Sequence, residues 1–183
     1  MKEVKSQKKA TITTKDITQI AMMVAVIEVC KVALMGIPNV ELTSFWIIMF
    51  SLFFGSKIFL VIPVFILIEG AMFGFGLWWI MYLYAWPLLA IISRIMRKME
   101  SVIGWSILSA IFGLSFGFLC SLPYVVIGTV DGNLASGLRA GFNYFIAGIP
   151  FDIIHCIGNF VIMLILYYPV KHVMKLVKKL DNK

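Results

Sequence analysis

The chain has 183 residues, of which 61% are hydrophobic and 14% are charged, and its formal net charge is +7. A soluble domain carries about a quarter charged residues, so this composition, with a mean hydropathy of +0.98, excludes an ordinary soluble domain. The basic residues flank apolar runs and form no patch with interleaved aromatic residues, which argues against nucleic-acid binding.

Long apolar segments follow one another along the chain, and polar or glycine-rich breaks separate them. Asp16 is predicted to cap the first helix, because Asp is a favoured residue before a helix begins. A helix needs roughly 20 apolar residues to cross the hydrocarbon core. The second segment is short for this, so a count of five spans stays open beside the preferred count of six. The six predicted segments are 17–35, 44–55, 58–75, 79–95, 102–127 and 142–168.

The division of the chain follows from these segments. We predict an all-α, multi-pass protein of the cell membrane with six transmembrane helices. A basic tail covers residues 1–15, the membrane domain covers 16–170, and a second basic tail covers 171–183. Residues 128–140 are predicted to form a polar loop, and no cleavable signal peptide is expected because the basic N-terminal tail lacks an apolar run.

The lysines and arginines fix the predicted orientation. With six spans, both tails, the break at Lys57 and the cluster at residues 94–98 fall on one side, which collects fourteen of the sixteen basic residues. The exceptions are Lys31 and Arg139. Because basic residues accumulate on the cytoplasmic side, both termini are predicted to be cytoplasmic.

Charged residues within the first and third segments are costly in lipid unless they are paired or hydrated. Glu28 and Lys31 are three residues apart and share a helix face, so mutual neutralisation is the preferred interpretation. Glu69 has no local partner. It is predicted either to line a pocket or to pair with a group on another helix, such as His155.

A polar stripe marks the sixth segment. Asp152, His155 and Asn159 share one helix face, and Asn143 and Tyr144 lie two turns earlier. A single polar residue often joins two helices, whereas several in a row favour a cavity lining. No metal site is predicted, since no cluster of carboxylates and histidines is visible, and Cys30, Cys120 and Cys156 are expected to be small core residues.

The segment 77–87 is rich in aromatic residues, including Trp78, Tyr82 and Trp86. Aromatic belts are common at membrane interfaces. The same density also suits a wall for a flat ligand, because Trp and Tyr offer wide apolar faces with a polar group. The two interpretations are left open.

Ala21 and Ala25 are four residues apart in the first segment. Small residues at this spacing allow a second helix to approach closely. Packing within the protein and docking of a partner membrane protein are both compatible with the pattern.

Together these features resemble the substrate-binding S components of energy-coupling factor (ECF) vitamin transporters. The resemblance covers nearly the whole length. It rests on size, six spans, the basic N-terminal tail followed by Ala21 and Ala25, the loop at residues 36–41, and the stretch at residues 148–159. That stretch, followed by a basic tail, is the most specific part.

The resemblance implies a function and partners. Such a subunit binds a vitamin from outside the cell and docks through its Ala-xxx-Ala face onto a membrane coupling protein, which sits on two cytoplasmic ATPases. ATP is hydrolysed by those partners, so the chain is expected to be no enzyme and to carry no covalently bound cofactor. Cobalamin is the preferred ligand, because the sequence looks most like cobalamin-specific S components, and a queuosine-like compound, a thiamine precursor or pantothenate is the alternative.

The candidate ligand-binding residues lie in the predicted outer loops, the aromatic segment and the sixth span. Two other classes of function are alternatives: a self-sufficient secondary transporter with a proton relay through Glu69, Asp152 and His155, and a small membrane enzyme. The absence of an inverted repeat argues against the first, and the absence of an evident nucleophile or metal site argues against the second. The predicted site residues are Asn39, Glu41, Trp78, Tyr82, Trp86, Asn133, Arg139, Asn143, Tyr144, His155 and Asn159.

Overall fold

A computed structural model describes residues 12–181, with side chains to residue 179. All regular structure in this part of the chain is helical. The helices are α1 (Thr14–Leu34), α2 (Thr43–Phe54), α3 (Ile58–Phe73), α4 (Leu77–Ile95), α5 (Val102–Leu114), α6 (Phe116–Val130) and α7 (Leu134–Asp181), and a 3₁₀ turn at Gly55–Lys57 joins α2 to α3. The predicted all-α class is confirmed, whereas residues 1–11 of the first tail lie outside the described part.

Five helical stretches are long and apolar enough to cross a membrane. They are Thr14–Leu34, Thr43–Phe73, Leu77–Ile95, Val102–Val130 and Leu134–Lys179. Large apolar side chains are exposed along all of them, among them Val29, Leu67, Leu83, Ile111 and Ile165, as expected for helices surrounded by lipid. A membrane-embedded protein is therefore compatible with the structure, and the finer count of six spans stays a prediction.

Helices α1 and α3 lie side by side and run in the same direction. Lys57, just before α3, pairs with Asp16 in the first turn of α1 at 2.6 Å. Farther along both helices, Glu69 pairs with Lys31. The bundle therefore has two ends, called here the basic end, near Lys57, and the cavity end, near Lys31 and Glu69.

The turn between α2 and α3 brings cations together at the basic end. Gly55 has φ +64°, a left-handed conformation that favours glycine. The Arg94 side chain packs against this glycine, because its Nη1 atom would lie only 3.3 Å from a Cβ atom added to Gly55. Lys57, Arg94 and Lys178 border the same cavity of about 320 Å³ at this end.

The start of α1 differs from the prediction by three residues. Thr13, not Asp16, is the N-cap. The Thr13 hydroxyl accepts from the Asp16 backbone N–H at 3.2 Å, and the Asp16 carboxylate accepts from the Thr13 backbone N–H at 3.0 Å. This reciprocal pair is a capping box, so Asp16 acts at the third helical position.

The predicted polar loop at residues 128–140 is wrong in extent, because only residues 131–133 separate α6 from α7. The Asn133 side chain accepts from the backbone N–H of Ser136 at 3.0 Å and thus starts α7 early. Gly137 then lies against α6, where an added Cβ would be 2.4 Å from the carbonyl oxygen of Val125. The helix continues through the predicted C-terminal tail as far as Asp181.

The core lies where α2, α3 and α4 meet α5. Trp86 and Trp105 are fully buried there, as are Phe45, Phe50 and Phe65. Burying an aromatic side chain of this size removes a large apolar area from solvent. Helix α7 packs mainly on α5 and α6, so the cavity end of α1, α3 and α4 is left partly open.

Candidate functional site

A cavity of about 340 Å³ opens at the cavity end of the bundle. Three segments build it: the last turn of α1 with the loop that follows, the end of α3, and the first turns of α4. Four predicted site residues line it, namely Asn39, Glu41, Trp78 and Tyr82. Its other lining residues are Lys31, Val32, Leu34, Met35, Ile37, Pro38, Val40, Glu69 and Phe73.

The loop at residues 35–42 holds Asn39 and Glu41 in place. Asn39 has φ +57°, which Asn tolerates better than most residues. The Glu41 carboxylate accepts from the Thr43 hydroxyl at 2.9 Å. Gly158 of α7 lies close beneath the loop, because an added Cβ there would be 3.5 Å from Val40. The loop is thus supported from below by α7.

A buried ion pair forms the floor of the cavity. The Lys31 ammonium donates to Glu69 Oε2 and to the hydroxyl of Tyr82 at 3.0 Å. The Glu69 side chain is 0% exposed, whereas the Lys31 side chain is 20% exposed. Lys31 reaches across to α3 and pairs with Glu69, so the predicted pairing with Glu28 is reduced to an electrostatic interaction. His155 is not the partner of Glu69.

The carboxyl groups of Glu69 and Glu28 lie side by side next to Lys31. Glu69 Oε1 and both carboxyl oxygens of Glu28 are buried, and within the described residues they have no hydrogen-bond partner except each other. Glu28 lies one turn before Lys31 on α1, and its carboxyl interacts electrostatically with that of Glu69. Glu28 is not among the residues that line the cavity, so its carboxyl group is not placed to contact a bound molecule.

Aromatic rings surround the ammonium group. The Lys31 Nζ lies 5.1 Å from the ring centre of Tyr82, 5.7 Å from that of Phe73 and 5.8 Å from that of Phe65. Trp78 packs edge-to-face on Tyr82 with 5.1 Å between ring centres. These rings present faces that attract a cation within about 6 Å.

Trp86 does not line the cavity. It is fully buried and packs edge-to-face beneath Tyr82 with 5.2 Å between ring centres. Its prediction as a ligand contact is therefore wrong in position. Trp86 follows Tyr82 by one helical turn, so both lie on the same face of α4, but Trp86 lies deeper in the bundle. The spacing of the two residues in the sequence does not reveal this difference in depth.

The polar stripe of α7 joins helices and lines no described cavity. Asn159 donates from Nδ2 to the Ser109 carbonyl oxygen at 3.2 Å and to the Ser44 hydroxyl at 3.3 Å. Asp152 Oδ1 accepts from the backbone N–H of Gly117 at 2.9 Å, just after the break between α5 and α6. His155 is buried, and its ring packs edge-on to Phe116. No described cavity is lined by Asp152, His155 or Asn159, and these contacts favour the interpretation that the stripe joins helices.

The remaining predicted contacts on α7 also lie apart from the cavity. Asn133 caps α7, and Arg139 and Asn143 are exposed. Tyr144 stacks on Tyr124 of α6 with 4.1 Å between ring centres. The start of α7 packs along α6, which places this group on a different part of the molecule from the loop at residues 35–42.

Ala21 and Ala25 are exposed on α1. Ile17, Met22 and Val29 are exposed beside them. The described part of the chain therefore does not use this small-residue face for its own packing. The interpretation that the two alanines pack against another helix of this protein is wrong.

Nine lining residues were not among the predicted ligand contacts, and three of them, Lys31, Glu69 and Phe73, carry charged or aromatic side chains. Glu69 was predicted to line a pocket or to pair with another helix, and it does both. The sequence held a signal for Lys31 and Glu69, since each is a charge inside an apolar segment. What the sequence did not provide was their pairing, because residues 31 and 69 come together only when α1 and α3 lie parallel.

Comparison with known proteins adds no assignment. The chain matches no known family model. No curated protein and no solved structure is detectably similar to it.

Proposed function

We propose that this chain is a ligand-capturing membrane subunit of the S-component type, which takes up a vitamin or vitamin precursor for an ECF-type transporter. The observation that carries the proposal is the open cavity of about 340 Å³ at one end of an apolar helical bundle. Ligand pockets typically occupy about 300–1,000 Å³ and combine apolar walls with a few polar groups. The cavity has this character, with Lys31, Glu69 and Asn39 among aliphatic and aromatic side chains.

The distribution of charge supports an orientation with the cavity facing outward. Lys57, Arg94 and Lys178 gather at the opposite end. By the positive-inside rule, that end faces the cytoplasm. Six crossings, with α2 and α3 each counted once, then place both termini in the cytoplasm. Labelling of intact cells at residues 94–98 tests this topology, and external labelling there would contradict it.

The exposed Ala21 and Ala25 support docking of a partner. Small side chains on an exposed helix face allow another membrane helix to approach closely. In the proposed assembly, this face contacts a membrane coupling protein that carries two cytoplasmic ATPases. The chain itself then supplies ligand binding and no ATP hydrolysis.

The size of the cavity bears on the ligand. Cobalamin, the ligand first expected, is a corrin macrocycle with an attached nucleotide, and most of it would remain outside a cavity of about 340 Å³. A smaller molecule, such as a thiamine precursor or a queuosine-like compound, is better matched to this volume. We therefore place a small vitamin or precursor ahead of cobalamin.

Reconstitution into vesicles tests the proposal. The chain is incorporated alone and together with a coupling protein and its ATPases, and uptake of labelled cobalamin, queuosine, a thiamine precursor and pantothenate is measured with and without ATP. We expect uptake of one compound only with the complete module and ATP. Uptake by the chain alone would reject the proposal and favour a self-sufficient transporter.

A further inference from the structure

The cavity of about 320 Å³ at the basic end gathers cations from three separate parts of the chain. Lys57 comes from the turn before α3, Arg94 from the last turn of α4, and Lys178 from the end of α7. No acidic side chain of the described residues lines this cavity. The folded chain therefore concentrates positive charge around one opening, which attracts anions.

Arg94 and Lys178 have binding capacity that the protein does not use. A guanidinium group has five N–H donors, and Arg94 donates from Nη1 to the carbonyl oxygen of Ser51 at 3.3 Å. Within the described part of the chain, Arg94 forms no other hydrogen bond or ion pair, and Lys178 forms none. An anion in the cavity would supply the missing acceptors.

Lys57 differs from the other two cations because a carboxylate already balances its charge. Its ammonium pairs with Asp16 at 2.6 Å and donates to the side-chain oxygen of Gln19 at 2.5 Å. With Asp16 included, the group keeps an excess of two positive charges. This excess suits a phosphate group, since Arg binds phosphate oxygens through two parallel N–H donors and Lys binds them as a point charge.

The turn between α2 and α3 holds the guanidinium in position. Gly55 lies against the Arg94 side chain, and the bond to Ser51 ties the same side chain to the last turn of α2. A side chain that is already held loses less conformational freedom when it binds a ligand. Arg94 is therefore the cation best prepared for an anion.

The surroundings favour a phospholipid as the source of the phosphate. Leu52, Phe53 and Phe54 also line the cavity, and the nearby Phe59 and Ile95 are exposed. Cations beside exposed apolar side chains, at the ends of helices long enough to span a membrane, lie at the level of the lipid headgroups. Free phosphate would contact the cations and leave the apolar lining without a partner.

We propose that the cavity at the basic end binds the phosphate group of an anionic phospholipid, with Arg94 and Lys178 on the phosphate oxygens and the acyl chains against the apolar lining. The site requires that the bundle lies in a membrane, and it is independent of the ligand bound at the cavity end. Basic cavities of this kind between membrane helices are suited to anionic headgroups.

Lipids with equal acyl chains and different headgroups test the site. Dimyristoylphosphatidylglycerol is anionic, whereas the choline of dimyristoylphosphatidylcholine would bring a further cation to a positively charged cavity. Each is titrated into the purified full-length chain in detergent, and native mass spectrometry measures the Kd of the first bound lipid. We expect a Kd for the anionic lipid at least tenfold below that of the other, a difference of about 1.4 kcal/mol. Equal values would overturn the inference.

Two pairs of variants separate a specific site from general surface charge. Arg94→Gln is compared with Arg97→Gln, and Lys178→Gln with Lys179→Gln. Both members of a pair remove one positive charge from the same end, and only the first lines the cavity. We expect Arg94→Gln to abolish the lipid preference and Lys178→Gln to reduce it severalfold, while both controls retain it. Equal effects within each pair would overturn the site, and the lysine pair decides the outcome should Arg94→Gln fail to fold.

A further arm separates the two sources of phosphate. The titration with the anionic lipid is repeated in millimolar inorganic phosphate, and we expect its Kd to change less than twofold, because the apolar lining adds affinity only for the lipid. Loss of lipid binding there would assign the site to phosphate from solution and reject the lipid. Lack of any lipid preference, with ATP-dependent uptake lowered by Arg94→Gln, would also reject the lipid and favour an acidic segment of a partner protein.

Discussion

Replacing Lys31 in the ion pair with Glu69 should lower the free energy of unfolding more than replacing Glu69. Glu69 is 0% exposed and Lys31 is 20% exposed. If Lys31 is replaced by methionine, the Glu69 carboxylate loses its counter-ion in a fully buried position. Removing one partner of a buried pair costs about 3–5 kcal/mol, and we expect Lys31→Met to lower the free energy of unfolding by an amount in this range.

The reverse substitution should cost less. In Glu69→Gln, the Lys31 ammonium keeps the Tyr82 hydroxyl at 3.0 Å and can turn towards the opening of the cavity. The loss then resembles that of one hydrogen bond to a charged group, about 1.5–3 kcal/mol. The double variant removes both charges, so its cost should fall well below the sum of the two single costs.

Unfolding in mixed detergent micelles, followed by circular dichroism and tryptophan fluorescence, measures all four proteins of this double-mutant cycle. The control is Glu100→Gln, whose exposed carboxylate should contribute less than about 0.5 kcal/mol. Equal losses for the two single variants, or a double variant whose loss equals their sum, would refute the account of an asymmetric buried pair.

Two further predictions, each with a control variant, concern helix packing and the proposed docking face. Gly137→Ala should destabilise the protein by about 1–3 kcal/mol in thermal unfolding, because its Cβ would lie 2.0 Å from the Thr129 hydroxyl and 2.4 Å from a carbonyl oxygen of α6. Gly148→Ala is its matched control and should be neutral or stabilising by up to about 1 kcal/mol, since the nearest atom is 3.9 Å away; a larger loss at residue 148 than at 137 would contradict the packing described. Ala21→Trp and Ala25→Trp should abolish ATP-dependent uptake in vesicles and leave ligand binding unchanged, and a loss of binding instead would argue against a docking face. Ile107→Trp, at an exposed position of α5, should leave both uptake and binding intact.

The sequence by itself determined the class of the fold. Runs of apolar residues longer than a dozen, interrupted by lysine, glycine and proline, can satisfy their backbone groups in lipid within a single segment only as helices. The helical stretches therefore appear where the hydrophobic pattern predicts them. Helix ends were less certain, because a local hydrogen bond decides them, as when Asn133 starts α7 about eight residues before the predicted span.

The composition of the cavity was only half visible in the sequence. Asn39, Glu41, Trp78 and Tyr82 were named from loops and aromatic density, and all four line the cavity. In contrast, the sequence pattern of the polar stripe in α7 is the same whether its side chains line a cavity or join helices. Only the packed helices show that Asn159 donates to the Ser109 carbonyl oxygen of α5 and to the Ser44 hydroxyl of α2.

Tertiary structure alone decided the charge pairing. Spacing along α1 favoured Glu28 as the partner of Lys31, because residues three apart share a helix face. The parallel packing of α1 and α3 instead brings Glu69 to Lys31, although 38 residues separate them in the chain. A charged side chain buried in an apolar bundle pairs with the opposite charge that is nearest in space, and that neighbour depends on how the helices pack.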